Sequence, residues 1–136
     1  MSAALDAFLD EQIVGALVTR SATGSVHQSL VYYARQDATL LISTLAGRRK
    51  ARDVEETGWA SLCVMGHERP FPSVTVSGAA EIRRGGIGAP TAEIARRMLG
   101  LDELPEEQSD VALAEVGRVI LALSIERVGP ASYLEL

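Results

Sequence analysis

Cysteine, histidine and aromatic residues are all scarce in this chain of 136 residues: one Cys, two His, and Phe, Tyr and Trp together only 4%. A single thiol cannot close an internal disulfide. Cys63, flanked by Leu62 and Val64 in a strand-like run, is expected to behave as a small buried hydrophobe rather than a redox centre. With so few thiols and imidazoles, no metal-ligand set of usable spacing is expected, and His27 and His67 read as solvated turn residues. There is no Gly-x-Ser-x-Gly nucleophile elbow and no Cys-x-x-Cys pair. No apolar run approaches the roughly 20 residues of a membrane span. Met1 to Glu11 has neither the basic start nor the apolar stretch of an export signal, so a cytoplasmic location is expected. Positive charge is also short, 13 Lys and Arg against 18 Asp and Glu, a net −5 that argues against a nucleic-acid surface.

What remains is ordinary globular material, 47% hydrophobic and 23% charged, read as one domain over residues 1–136. Leu5, Phe8 and Leu9 mark one face of a helix over Ala4 to Glu11. Strands are expected over Ile13 to Thr19 and Val26 to Ala34 about a Ser21–Ser25 turn, then over Thr39 to Thr44. A helix from Arg48 to Glu56 stops at Thr57-Gly58. Trp59 to Met65 and Ser73 to Arg83 pair around a loop stiffened by Pro70 and Pro72. Gly85 to Pro90 reads as an irregular break without the spacing of a nucleotide-binding glycine motif. Thr91 is the expected cap of a helix buried through Ile94, Ala95, Met98 and Leu99. An acidic loop, Asp102 to Asp110, leads to a turn or short helix and a closing strand, Arg118 to Val128. The sum is a mainly β chain with peripheral helices and about six antiparallel strands, a number that must pair its edges or close on itself.

Against that acidic background, Leu40 to Val54 stands out. A strand ends in Ser43-Thr44, a glycine turn follows, and Arg48, Arg49, Lys50 and Arg52 crowd the start of a helix. Hydroxyls, free backbone N–H groups and cations at a helix N-terminus form an anion cradle; a solvated basic helix face is the alternative.

The Ser43-Thr44 pair, the Thr44-to-Lys50 spacing, the Trp59 to Val64 strand and the Ser73 to Glu81 strand resemble the pyridoxamine 5′-phosphate oxidase-like split-barrel flavoproteins. Within them the likeness is to the branch that uses the deazaflavin coenzyme F420. It runs from about Ile13 to Glu81 and resumes over Val119 to Val128. The resemblance implies a split β-barrel of the FMN-binding type and a homodimer with the cofactor bound at its interface. It further implies hydride transfer to a conjugated small molecule such as a quinone, tetrapyrrole or unsaturated lactone. FMN is the alternative cofactor, and a non-catalytic flavin- or haem-binding module the alternative function. An oxidase acting on pyridoxamine phosphate itself is disfavoured by the short chain and its acidic end.

On this reading Lys50 pairs with the cofactor phosphate, Arg48 and Arg49 assist with one of them facing solvent, and Ser43 and Thr44 donate hydroxyl and backbone hydrogen bonds. The strand carrying Gln28, Ser29 and Leu30 lines the ring, either of its faces serving as the shelf. Phe71 reaches the ring from the second subunit. No residue is assigned as catalytic; Tyr32 and Tyr33 read as core or interface. The family's usual asparagine after the lysine is replaced by Asp53, which should face away from the phosphate or pair with Arg49 or Arg52.

Overall fold

The computed structural model describes residues 2–136. Ser2 opens α1 (Ala3–Glu11), its Oγ accepting from the Leu5 N–H at 3.1 Å. The helix buries Leu5, Phe8 and Leu9, spaced to share one face. Next come β1 (Val14–Arg20), β2 (Val26–Tyr32), β3 (Ala34–Gln36) and β4 (Thr39–Leu45), then α2 (Arg49–Thr57), β5 (Trp59–Met65) and β6 (Ser73–Arg83). The chain finishes with α3 (Gly88–Leu99), α4 (Asp110–Glu115), β7 (Arg118–Ser124) and β8 (Arg127–Ser132).

The sheet has eight strands rather than six, in the order β2-β1-β5-β6-β7-β4-β3, all neighbours antiparallel, with β8 joined to β6. Both extra strands come from runs that read as single strands. The chain breaks after Tyr32 and resumes pairing at Ala34 as β3, while Arg118 to Val128 divides at Ile125-Glu126. There the Ile125 N–H donates to Ala38 O at 2.8 Å and the Glu126 N–H to Ser77 O at 3.0 Å, carrying the chain from one sheet neighbour to another. The eleven-residue β6 permits this, because its first part pairs with β5 and β8 and its last part, from Ala80, with β7. Gly78 sits at the crossing; a Cβ there would collide with the Ser124 carbonyl oxygen.

The core has two parts. Leu17, Tyr33, Leu40, Ile42, Leu62, Val76, Leu121 and Leu123 fill the curl of the sheet beneath α1. On the other face of β4 and β7, Leu41, Ile120 and Ala122 meet Ile87, Ile94 and Leu113 from the α3–α4 layer. Two-sided burial is why Val119 to Leu123 is unbroken apolar sequence instead of alternating.

Three further expectations are corrected. Helix α3 begins at Gly88, not at Thr91. Proline is tolerated in a first helical turn, where its missing N–H is not needed, and the carboxylate of Asp110 takes the N–H groups of Gly86 and Ile87 at 2.9 and 3.2 Å. Met98 and Leu99 are exposed, so the helix is buried only along its Ala92–Ile94 side. Cys63 is exposed: Leu62 and Val64 point inward, so strand alternation turns the thiol out.

One side chain fastens the layers together. The Arg97 guanidinium donates to the carbonyls of Tyr33 (2.9 Å), Asp10 (3.2 Å) and Gln12, and lies over the Tyr33 ring at 5.4 Å. Tyr33 is fully buried, donates its hydroxyl to Leu9 O at 2.6 Å, and is pushed well above the ordinary phenol pKa by that burial. Arg97→Met keeps an unbranched apolar stem but takes the guanidinium off the ring and strips three carbonyls of their donor. It should cost about 2–3 kcal/mol of stability, read as a lower urea midpoint at unchanged slope.

Candidate functional site

Strand β4 and helix α2 meet at the mouth of a cavity of about 460 Å³. Ala46 N–H donates to Gly117 O at 2.9 Å, which ties the end of β4 to the start of β7. Ser43, Lys50 and Arg118 line the cavity together with Leu30, Tyr32 and Met98.

The first turn of α2 is left open. Arg48 occupies the cap position with extended backbone and no side-chain capping bond, so the helix begins with free N–H groups and the positive end of its dipole. Lys50 is half-buried here. Desolvation, and then the neighbouring charge of Arg48, hold its ammonium below the ordinary lysine pKa. Neither Lys50 nor Arg118 belongs to an ion pair among the described residues. Two partly desolvated cations without counter-charge, beside an uncapped helix, have the chemistry to attract an anion.

The other residues expected at the site are distributed as follows. Ser43 lines the cavity, whereas Thr44 is 5% exposed and opposite Val119, because successive strand residues face opposite ways. Leu30 lines the cavity and is 77% exposed; Gln28 lies on the same outward face of β2, while Ser29 turns inward with its hydroxyl oxygen buried and unpartnered. Arg48 is exposed beside Lys50. Arg49 points to a separate shallow hollow shared with Ser25 and Asp53, donating to Ser25 Oγ at 2.7 Å. Asp53 is buried and pairs with Arg49, 3.6 Å from its Nε, one of the two arrangements its sequence position called for. Phe71 is at the exposed β5–β6 tip with φ of 62°, outside this cavity within one chain.

Arg118 and Met98 escaped the sequence reading. Arg118 is seventy residues from the basic cluster's glycine turn at Arg48, and its role depends on the β4–β7 register, Leu45 opposite Arg118, which no local pattern announces. Met98 looked like core by helical spacing, and it is 43% exposed because its face of α3 borders the cavity.

A family model described as pyridoxamine 5′-phosphate oxidase matches residues 1–128. The chain belongs to that family. Solved structures agree on the fold. An F420 reductase is 21% identical with a TM-score of 0.73, covering 91% of this chain and 94% of its own. The conserved hypothetical protein Rv2991 from Mycobacterium tuberculosis is 21% identical with a TM-score of 0.75 over 94% of this chain and 82% of its own. HutZ, the heme storage protein from Vibrio cholerae, is 14% identical at 0.69, over 93% and 92%. At these identities the likeness is one of architecture. No curated protein matches the chain. Among the described residues no helix is long and apolar enough to cross a membrane.

An anion at this seat binds the protonated form of Lys50. Affinity is therefore full below the Lys50 pKa of the free protein and is lost as pH rises through it. Because that pKa lies below the ordinary 10.5, the affinity for FMN should begin to fall at a lower pH than an unperturbed lysine would dictate. Fluorescence titration with FMN from pH 7 upward checks this; a flat profile up to the ordinary lysine range would exclude Lys50 as the anion's partner.

Proposed function

We propose that the protein is an oxidoreductase that binds coenzyme F420 through its phosphate at Lys50 and passes a hydride between it and a conjugated small molecule. FMN is the alternative cofactor. The observation that carries the reading is the pair of unpartnered cations, Lys50 and Arg118, at the uncapped start of α2. The residues present fit a phosphate-bearing flavin-type group. Lys50 and Arg118 supply charge, Arg118 with the fork that suits phosphate oxygens, and Ser43 a hydroxyl beside them. Leu30 and Tyr32 supply an apolar shelf, so the outward face of β2 takes the ring. When bound, a deazaflavin supplies hydride chemistry at its ring carbon, whereas FMN adds single-electron and oxygen chemistry. The chain's own part is to anchor the phosphate, orient the ring against β2 and exclude water. Arg48, exposed beside Lys50, is the cation we assign to the polyglutamate tail.

The same face of β2 supports a homodimer. Leu30, Ala16, Cys63 and Thr75 form a cross-strand row over β2, β1, β5 and β6, beside a second row of Gln28, Val18, Ser61 and Ser77. Small side chains make this a flat patch on which Leu30, Tyr32 and Met65 are exposed. A second copy laid on it buries those groups in an isologous contact, and the family resemblance implies that the partner's Phe71 then reaches the ring. A cytoplasmic setting, where the outward thiol of Cys63 stays reduced, accords with this. The rival reading, a flavin- or haem-holding module without turnover, draws on the likeness to a heme storage protein. Neither histidine lines the cavity to ligate a haem iron.

Lys50→Ala should weaken F420 or FMN binding by about 1.5–3 kcal/mol, the scale of a charge-assisted hydrogen bond, with the fold intact by circular dichroism. Wild-type protein should sediment as a dimer at micromolar concentration. Mixed with reduced deazaflavin, it should speed the return of the oxidised absorbance band on addition of a quinone. Binding without acceptor-dependent turnover would favour the storage module, and tighter binding of FMN than of F420 would make FMN the cofactor.

A further inference from the structure

The neighbours Arg49 and Lys50 differ by about 100° in direction on the helix, and only Lys50 meets the cavity. Arg49 is held elsewhere by two contacts. Its Nη2 donates to Ser25 Oγ at 2.7 Å, and its Nε lies 3.6 Å from Asp53 Oδ2. The Asp53 side chain is 5% exposed and that of Arg49 38%, so the buried partner is the fixed one. The same Asp53 oxygen accepts the hydroxyl of Thr19, itself fully buried on β1, at 2.9 Å. One turn further along α2, Glu56 accepts from the Ala22 N–H at 3.0 Å. The helix is thereby latched to the β1–β2 hairpin on the side away from the cavity.

A carboxylate in the second turn of a helix whose N-terminus receives an anion opposes that anion unless a cation neutralises it. Arg49 is that cation. We infer that Asp53 is a positioning residue that withholds Arg49 from the anion cavity, leaving Lys50 and Arg118 as its paired cations and suiting the seat to a single phosphate rather than to a polyanion. The inference rests on the proposed role of the cavity, and it adds the charge class the cavity selects.

Inorganic phosphate and pyrophosphate are the probes, with dissociation constants measured by calorimetry on the full chain at low and physiological salt. Asp53→Asn keeps an oxygen for the Thr19 hydroxyl and removes the charge that holds Arg49. Pyrophosphate should bind about 2- to 5-fold tighter, the scale of one partly exposed charge pair, with a steeper salt dependence, and phosphate should gain less. Removing the pair together, Arg49→Met with Asp53→Asn, leaves net charge unchanged and should return pyrophosphate affinity to within about twofold of wild type. Ser25→Ala, on the exposed hairpin, loosens Arg49 without touching the buried carboxylate and should shift affinity the same way by less. If the paired variant loses affinity as Lys50→Ala does, Arg49 itself holds the anion and the inference fails. It also fails if Asp53→Asn or Ser25→Ala leaves pyrophosphate affinity unchanged or weaker, or if wild type already binds pyrophosphate more tightly than phosphate. Pyrophosphate binding by a protein that takes neither F420 nor FMN would overturn the proposed function while leaving this test in force.

Discussion

Strand β4 is buried on both faces, against the curl of the sheet on one side and the α3–α4 layer on the other, and it has to hand the chain to a helix within a few residues of its end. That constraint places the site. A strand covered on both faces leaves little polar surface open to a ligand until it emerges, so the candidate site gathers at the exit: Ser43, the turn at Gly47 and the open N-terminus of α2. Pairing with β7 over seven residues fixes the exit against Arg118. The cations at the cavity therefore come from two distant parts of the chain, held in place by the β4–β7 pairing.

Charge is sorted over short distances around this exit. Four cations lie within five residues of sequence, and they do not act as one patch. Lys50 faces the cavity, Arg48 stands exposed next to it, Arg49 is tied to Asp53 and Ser25, and Arg52 lines the hollow on Arg49's side. The buried carboxylate of Asp53 would be unfavourable alone; with the Thr19 hydroxyl and Arg49 as partners it becomes a fixed point for the helix. Lys50 has no such partner, and burial, then the neighbouring charge of Arg48, holds its ammonium below the ordinary lysine value.

Much of this was legible in the residues. The hydroxyl-ended strand, the glycine turn and the basic helix start are where the sequence reading put them, and β5 and β6 have the bounds their alternation and flanking turns implied. Three things were hidden for physical reasons. Strand β8 was hidden because Val119 to Val128 looks continuous until pairing to β6 pulls it apart at Glu126. The start of α3 was hidden because the turn just ahead of it, at Gly86 and Ile87, is held by Asp110, twenty-odd residues downstream, instead of by a local side-chain cap. Arg118 was hidden because its place depends on long-range register. Thr44 shows the opposite error: the Ser-Thr pair invites a shared role, and strand alternation sends one hydroxyl to the cavity and the other to the core.

The central claim is that the Lys50 ammonium is the phosphate's direct partner, and lysine side-chain nitrogen NMR reads it most directly. With ¹⁵N-labelled lysine, the Lys50 ammonium should titrate below the ordinary lysine value in the free protein. On saturation with F420 or FMN its signal should shift, exchange more slowly with water and titrate at higher pH, since a bound phosphate stabilises the charged form. A Lys50 resonance whose position and titration are the same in the free and the saturated protein would contradict the account.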